Sequence, residues 1–289
     1  MITAAKRHVS VKTGLLGWFA GVEPYERIVL AFSCYAAGLA VTRGIGVPQR
    51  AALVVLPFVL MAAWRVESMA SRDWSRILRQ WLSLGLILVA YWSIGCFASD
   101  KLVDVQAVLI GWDRAVLAVM RPAVESLGGV IPFVLEFVYL LLYAIPPICL
   151  AALYYYRASS RAPRLLKVLF LGTLTAYGML PFFPVSSPYF AFPSADMPNF
   201  SSAVRELNTW LLARLDIDTS VFPSGHVAVA FSTAFGMRAA VPERRGVWLA
   251  AFGAAAVVYV ATIYGRYHYA VDGLASIGIA WAASKVAAE

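Results

Sequence analysis

The chain has 289 residues, of which 61% are hydrophobic and only 14% are charged, and its mean hydropathy is +0.73. This composition lies far outside the range of ordinary soluble domains and predicts an integral membrane protein. The formal net charge is +8, but the lysines and arginines fall in short loops between apolar runs, as membrane orientation requires. We therefore expect no nucleic acid among its partners.

Apolar runs of about 20 residues, long enough to cross a bilayer, recur along the whole chain. Arg43 and Pro48 interrupt the first two, so the sequence predicts an all-α fold, a polytopic membrane bundle of about six to eight transmembrane helices. The charge pattern of the loops favours eight. The candidate spans are residues 28–47, 48–64, 81–98, 130–156, 165–185, 223–241, 246–265 and 269–287.

The loops between these runs indicate how the chain is oriented. Three of them are basic and, by the positive-inside rule, face the cytoplasm, whereas the long connection over residues 186–222 is mixed in charge and faces outward. Eight spans satisfy these assignments with both termini inside, which predicts a protein of the cell (inner) membrane. The basic residues are Arg65, Arg72, Arg76 and Arg79, then Arg157, Arg161, Arg164 and Lys167, then Arg238, Arg244 and Arg245.

Segments outside the spans also carry a pattern. The basic start leads only to the short run "GLLGWFAG", so we expect no cleavable signal peptide and interpret this start as cytoplasmic and interfacial. Residues 103–120 and the stretch "FSSAVRELNTWLLARLDI" space apolar residues at helical intervals and predict outer-face amphipathic helices. These helices serve either as a structural rim or as a guide for lipid headgroups. No internal repeat divides the chain, so residues 1–100 and 101–289 are expected to form one structural unit.

Two histidines lie at the ends of apolar runs, in "FPSGHVAVAF" and "YGRYHYAVDGLA". From His226 the sixth span runs to a basic turn, and the seventh span returns towards His268 over a similar length, about 28 Å. Both histidines therefore return to the same membrane face, the outer one. A single histidine in an apolar helix is usually a packing residue, but two on one face favour a catalytic site.

Asp272, four residues after His268, supplies the third element of the predicted site. Residues four apart share a helix face, so its carboxylate can accept a proton from one imidazole nitrogen and leave the other nitrogen free as a nucleophile. The alternative is that Asp272 only forms an ion pair with Arg266.

The segment before His226 fits the binding of an anionic oxygen. Pro223 can open a helix, and Ser224 and Gly225 then leave backbone N–H groups at its positive end. Arg266 can add a bidentate contact to the same oxygens, or it can extend to lipid headgroups instead. No carboxylate cluster of metal-ligand type is present, so we expect neither a metal nor a cofactor.

The motif "PSGH", followed about forty residues later by a histidine and four residues on by an aspartate, resembles the second and third motifs of the type 2 phosphatidic acid phosphatase superfamily, which also includes the vanadium haloperoxidases. The resemblance implies that His268, paired with Asp272, forms a phosphohistidine, and that His226 protonates the leaving oxygen. It also implies a lipid phosphoester as substrate, with water or a lipid or polyol hydroxyl as acceptor.

Within this superfamily the sequence resembles the branch of inositol phosphorylceramide and sphingomyelin synthases, through "HYAVD" and "LPFFPVSSPY". The likeness covers residues 105–287, so the catalytic part is expected within residues 101–289. Two features depart from the pattern. Ala261 and Thr262 occupy the positions of the family's Ser-Arg pair. The family's first motif is matched only weakly, by "RAVLAVMRP" over residues 114–122, which lies about two spans too early.

Other functions compete with a lipid phosphatase or phosphotransferase. A transporter would explain the spans and an intramembrane charge such as Glu136, but the sequence shows no inverted repeat. A haloperoxidase would share the histidines, yet that chemistry belongs to soluble relatives. A non-catalytic membrane protein would leave the two histidines and the aspartate unexplained.

Overall fold

A computed structural model describes residues 22–44, 72–97, 101–192, 196–219 and 221–289. Within these ranges every regular element longer than one residue is a helix, in agreement with the predicted fold class. The α-helices are α1 (Pro24–Thr42), α2 (Arg72–Gly95), α3 (Val103–Ser126), α4 (Val130–Leu140), α5 (Ile145–Tyr155), α6 (Ala162–Met179), α7 (Pro188–Ala191), α8 (Ala203–Leu215), α9 (Gly225–Ala240), α10 (Arg245–Tyr264) and α11 (Ala270–Val286). Short 3₁₀ helices lie at Leu141–Ala144, Ser159–Arg161 and Leu180–Phe182.

Four helical stretches in the described ranges are long and apolar enough to cross a membrane: Trp74–Gly95, Val130–Tyr155, Ser159–Phe182 and Arg245–Tyr264. They coincide with four of the predicted spans and indicate a membrane protein. The helices α1, α9 and α11 also form where spans are predicted, but α9 has 16 residues and α11 has 17, which is short for a bilayer. The candidate span at 48–64 lies outside the described residues, so the count of six to eight stays a prediction.

The core of the bundle is built around α6 and α9. These two helices pack closely together, and α9 also contacts α10 and α11, while α1 and α2 pack against α6. Small residues make the close packing possible: a methyl group added at Gly236 would lie 2.7 Å from the carbonyl oxygen of Leu165. Because α9 is surrounded by other helices, its first turn is held rigidly at one end of the bundle.

The span formed by α4 and α5 is interrupted in its middle. Pro146 and Pro147 stand at the start of α5 and cannot donate backbone hydrogen bonds to the preceding turn, which accounts for the 3₁₀ segment Leu141–Ala144. As a result α4 packs along α10, whereas α5 touches α10 at few positions.

Both segments expected to form amphipathic helices are helical. The first is α3, with 24 residues, and the second is α8, with 13 residues, which packs against α4. Ser202 caps α8, since its hydroxyl accepts a hydrogen bond from the Arg205 backbone N–H at 3.2 Å. Their location on the outer membrane surface stays a prediction.

Candidate active site

The first turn of α9 presents His226. Ser224 is the N-cap of this helix, and its hydroxyl accepts a hydrogen bond from the backbone N–H of Val227 at 3.2 Å. Pro223 therefore precedes the cap and does not open the helix as predicted. The Ser224 backbone N–H donates to the Asp272 carbonyl at 3.2 Å, so it is already occupied. The N–H groups of Gly225 and His226, in the first turn, have no acceptor within the helix, and the binding of an anion by this turn stays a prediction.

The structure confirms that the two histidines lie side by side. The Nδ1 atom of His226 is 3.0 Å from the Nε2 atom of His268. His268 is 2% exposed, whereas His226 is half-buried. The antiparallel α9 and α10 helices, of 16 and 20 residues, thus return the two rings to one end of the bundle, as predicted.

The neighbours of His268 determine its tautomer. Its Nδ1 atom faces two acceptors, the Val221 carbonyl at 3.1 Å and the Asp272 Oδ2 atom at 3.5 Å, so Nδ1 must carry the proton. The Nε2 atom then has a free lone pair and accepts the hydrogen bond from the Nδ1–H of His226. This assignment makes Nε2 of His268 the nucleophilic atom of the pair.

Asp272 reaches His268 by a different route from the one predicted. His268 does not belong to a helix, because α11 begins only at Ala270. Asp272 is the third residue of α11, and its Oδ2 atom caps the helix by accepting the Tyr269 backbone N–H at 2.8 Å. The capping turn, rather than a shared helix face, brings the carboxylate beside the imidazole. Asp272 is 0% exposed, and Val221 supplies the nearer acceptor.

Two tyrosines that sequence reasoning did not identify complete the surroundings of His226. The hydroxyl groups of Tyr139 and Tyr143 lie 3.4 and 3.3 Å from its Nε2 atom. Because Nδ1 of His226 carries the proton shared with His268, Nε2 offers its one lone pair to these two hydroxyls. The spacing of four residues within an apolar span was the available sign that both tyrosines share one helix face.

Arg266 does not pair with Asp272. Its guanidinium donates to the Asp113 Oδ2 atom of α3 at 2.5 Å, and both side chains are 1% exposed. The Oδ1 atom of Asp113 accepts the Ala270 backbone N–H at 3.0 Å. Arg266 is therefore buried in an ion pair beside the histidine turn, and its proposed contact with substrate oxygens stays a prediction.

A second buried carboxylate holds the other side of the same turn. Glu136 in α4 accepts hydrogen bonds from the Tyr267 hydroxyl at 2.5 Å, from Arg205 at 2.6 Å and from Asn208 at 2.8 Å. Arg205 and Asn208 belong to α8, so Glu136 joins α8 to the residue that precedes His268. These contacts account for the buried charge of Glu136, which was one of the features that a transporter would explain.

The segment after α8 connects to the amino-terminal part of the chain. The Tyr91 hydroxyl of α2 donates to the Asp216 carboxylate, and the Trp92 indole N–H donates to the Leu215 carbonyl at 3.2 Å. Burial raises the pKa of the Asp216 carboxyl, and the hydrogen bond from Tyr91 opposes that rise. Helix α2 is therefore attached to the segment between α8 and α9, which leads to the site.

Arg114 and Arg121, in the segment that weakly matches the family's first motif, form ion pairs with carboxylates outside the histidine site. Arg114 forms an ion pair with Asp196 at 3.3 Å, and Arg121 pairs with Glu125 at 3.2 Å. In the described parts of the chain, no group of three or more histidine, cysteine, aspartate or glutamate side chains is placed to hold a metal ion.

Apolar helices long enough to cross a membrane surround two neighbouring histidines, with a carboxylate beside the buried one, and this combination indicates a membrane protein with an enzyme-like site. Residues 107–286, more than half of the chain, match the family model described as the PAP2 superfamily, and the chain belongs to this superfamily. The match begins within α3 and extends through α11, so it contains every residue of the histidine site. The resemblance predicted from sequence is confirmed at this level, while the synthase-like branch stays a prediction. No curated protein and no solved structure matches the chain.

Proposed function

We propose that the protein is an integral membrane lipid phosphatase or phosphotransferase that acts through a phosphohistidine at His268. Membership of the PAP2 superfamily supports phosphoester chemistry. The observation that carries the proposal is the 3.0 Å contact between His226 Nδ1 and His268 Nε2, with acceptors for the Nδ1–H of His268 behind it. The apolar helices around the site support a substrate that is reached from the membrane.

In the first step, the Nε2 lone pair of His268 attacks phosphorus, and the bond from phosphorus to the leaving oxygen breaks. That oxygen takes a proton from His226, which acts as the general acid: the ring enters the step as the doubly protonated imidazolium and leaves it as the neutral imidazole that serves as the base in the second step. The positive charge that develops on the His268 ring is stabilised by Asp272 and the Val221 carbonyl, both within 3.5 Å of Nδ1. The phosphoryl group must displace the hydrogen bond between the histidines, so substrate binding separates the two rings.

In the second step, His226 removes a proton from the acceptor oxygen, which attacks phosphorus and breaks the bond to His268. By microscopic reversibility the same residues serve whether this oxygen belongs to water or to a lipid or polyol hydroxyl. The N–H groups of Gly225 and His226 are placed to bind the phosphoryl oxygens in both steps. None of these steps needs a cofactor.

Trapping of the intermediate tests the proposal. Purified protein in detergent, incubated briefly with a phospholipid labelled in its phosphate and quenched in alkali, should carry an alkali-stable, acid-labile label on His268. His268→Ala should lose both label and turnover, and Asp272→Asn should reduce turnover by about 10³–10⁴-fold. His8→Ala, the third histidine of the chain, serves as the matched control and should keep full activity. Turnover by His268→Ala, or a requirement for magnesium after chelation, would refute the mechanism.

Isotopically labelled water identifies the acceptor. Label in the released phosphate or phospho-headgroup establishes hydrolysis. An unlabelled new phospholipid that forms only when a hydroxyl-bearing lipid or inositol is supplied establishes transfer. Absence of both products across a broad lipid panel would remove the enzymatic function and favour a transporter or a non-catalytic protein.

A further inference from the structure

A large groove lies on one side of the bundle. It has a volume of about 850 Å³ and runs between the α4–α5 span and α10. Its walls are apolar, with Ile145 and Ile148 on one side and Ala250 and Ala254 on the other. The end of the groove at the start of α10, which we call its mouth, is lined by Tyr156 and residues 243–246.

The break in the α4–α5 span explains why the groove exists. The two prolines at the start of α5 disrupt the helix there, and only the α4 half stays packed along α10. The space left between α5 and α10 is not filled by other side chains. In a membrane protein, an apolar surface of this size is suited to contact with the hydrocarbon chains of lipids.

The dimensions of the groove match one lipid chain. Its lining on α10 extends from Gly246 to Val257, which corresponds to about 16 Å of helix. The hydrocarbon core of a bilayer is about 30 Å thick, so the groove is as deep as one leaflet. An acyl chain inserted from the mouth would fill it.

The mouth carries an excess of positive charge. Glu243 is the carboxylate there, and Arg161 of the neighbouring loop pairs with it at 2.5 Å. Arg244 lies over the Tyr156 ring at 4.2 Å, and Arg245 is exposed, with no ion-pair partner among the described residues. These two guanidiniums stand at the entrance of an apolar groove, which is the arrangement that binds an anionic lipid headgroup.

We propose that this groove binds one anionic glycerophospholipid, with its phosphate at Arg244 and Arg245 and one acyl chain between α5 and α10. The site is distinct from the proposed active centre, because the 20 residues of α10, about 30 Å, separate its mouth from the histidine turn. The proposal does not rest on catalysis. By the positive-inside rule, the lipid belongs to the cytoplasmic leaflet.

Native mass spectrometry of the full chain in nonionic detergent tests the proposal. Dioleoyl phosphatidylglycerol, dioleoyl phosphatidylcholine and glycerol 3-phosphate are titrated separately. We expect one phosphatidylglycerol to bind at least about tenfold more tightly than phosphatidylcholine, which lacks net charge, and no binding of glycerol 3-phosphate, which lacks the chain. Binding by His268→Ala should equal that of the wild type, which separates this site from the active centre.

Charge and shape variants test the two halves of the site. Arg244→Gln/Arg245→Gln should weaken phosphatidylglycerol binding about thirtyfold, whereas Arg164→Gln, an exposed arginine outside the groove, should leave it unchanged. Ala254→Phe places a ring in the groove and should weaken both lipids. Ala256→Phe places the same ring on the exposed face of α10 and should weaken neither.

Equal binding of phosphatidylglycerol and phosphatidylcholine would overturn the proposal, because the contact would then be unspecific for charge. Unchanged phosphatidylglycerol binding in either Arg244→Gln/Arg245→Gln or Ala254→Phe would overturn it as well. Size-exclusion profiles of the variants establish that each is folded. If one of the two variants does not fold, the other decides the outcome.

Discussion

The imidazole of His226 stands between a histidine on one side and two tyrosines on the other. Its Nδ1 atom donates to His268, and its Nε2 atom lies within hydrogen-bond distance of Tyr139 and Tyr143. Tyr139 is buried and stacks on Tyr267, at 4.1 Å between ring centroids, whereas Tyr143 is 51% exposed. The two hydroxyls thus orient the ring that the proposed mechanism uses as the general acid.

We predict that Tyr139→Phe and Tyr143→Phe each lower kcat about two- to tenfold, because each removes a hydroxyl that lies 3.3–3.4 Å from the Nε2 atom of His226, a long hydrogen bond. The change should appear in kcat more than in KM, since the hydroxyls act on the proton donor. Steady-state kinetics with a labelled phospholipid provide the measurement. Tyr155→Phe is the control, because Tyr155 is 81% exposed and its nearest ring neighbour is Tyr156. Full kcat in both site variants would contradict this role.

At the scale of the elements, the short turn between α10 and α11 decides where His268 lies. Asp113 of α3 holds this turn through Arg266 and the Ala270 backbone, and Glu136 of α4 holds it through Tyr267. Arg266 has a positive φ of 68°, a conformation that non-glycine residues adopt rarely. The buried ion pair with Asp113 is formed from this conformation.

We predict that Asp113→Ala destabilises the protein by about 3–5 kcal/mol, because it leaves the Arg266 charge buried without its partner. Asp113→Ala/Arg266→Ala should lose less than the sum of the two single changes. The measurement is unfolding by SDS in mixed micelles. Arg121→Ala serves as the control: its pair with Glu125 is about a quarter exposed and contributes at most about 1 kcal/mol.

Additive losses in this double-mutant cycle would show that the pair does not couple α3 to the turn. Activity offers a second measurement in variants that stay folded. Because Asp113 touches neither histidine, we expect Asp113→Ala to lower kcat only by displacing the turn that carries His268. Asp113→Glu keeps the charge and should therefore retain part of the kcat that Asp113→Ala loses.

At the scale of the whole molecule, the described helices place the two histidines and a group of arginines at opposite ends of the bundle. The histidines lie after α10 and at the start of α9, whereas Arg238, Arg244 and Arg245 lie at the other ends of the same helices. The lengths of these helices separate the two ends by about 24–30 Å, the scale of a bilayer core. From the positive-inside rule we expect the histidine end to face the periplasm or the cell exterior.

We predict that a cysteine at Ser201 reacts with a membrane-impermeant thiol reagent on intact cells or spheroplasts, and that a cysteine at Ala239 does not. Both positions are exposed in the structure, so accessibility reports the side of the membrane. The variants are made after replacement of the three native cysteines, of which Cys34 is exposed. Detergent permeabilisation is the control and should make Ala239→Cys reactive. The reverse labelling pattern would overturn the topology.

Much of the fold and part of the site could be predicted from the sequence, because they depend on patterns within short stretches of the chain. Burial of long apolar runs in a membrane requires helices, so the composition predicts an all-helical protein and the run boundaries predict most of the described helices within a few residues. The spacing between "PSGH" and His268 corresponds to two helices joined by a turn, and it predicts that the histidines meet, as they do at 3.0 Å.

Only the tertiary structure decides the partners of the charged residues. Arg266 pairs with Asp113, which is 153 residues away, and Tyr267 pairs with Glu136, which is 131 residues away. No local pattern specifies which distant helix supplies a carboxylate, because the partner depends on how the helices pack. The route from Asp272 to His268 is likewise a matter of geometry, since the start of α11 falls between them. The sequence thus determines that two histidines and an aspartate meet in a membrane helical bundle, and the packing determines what orients them.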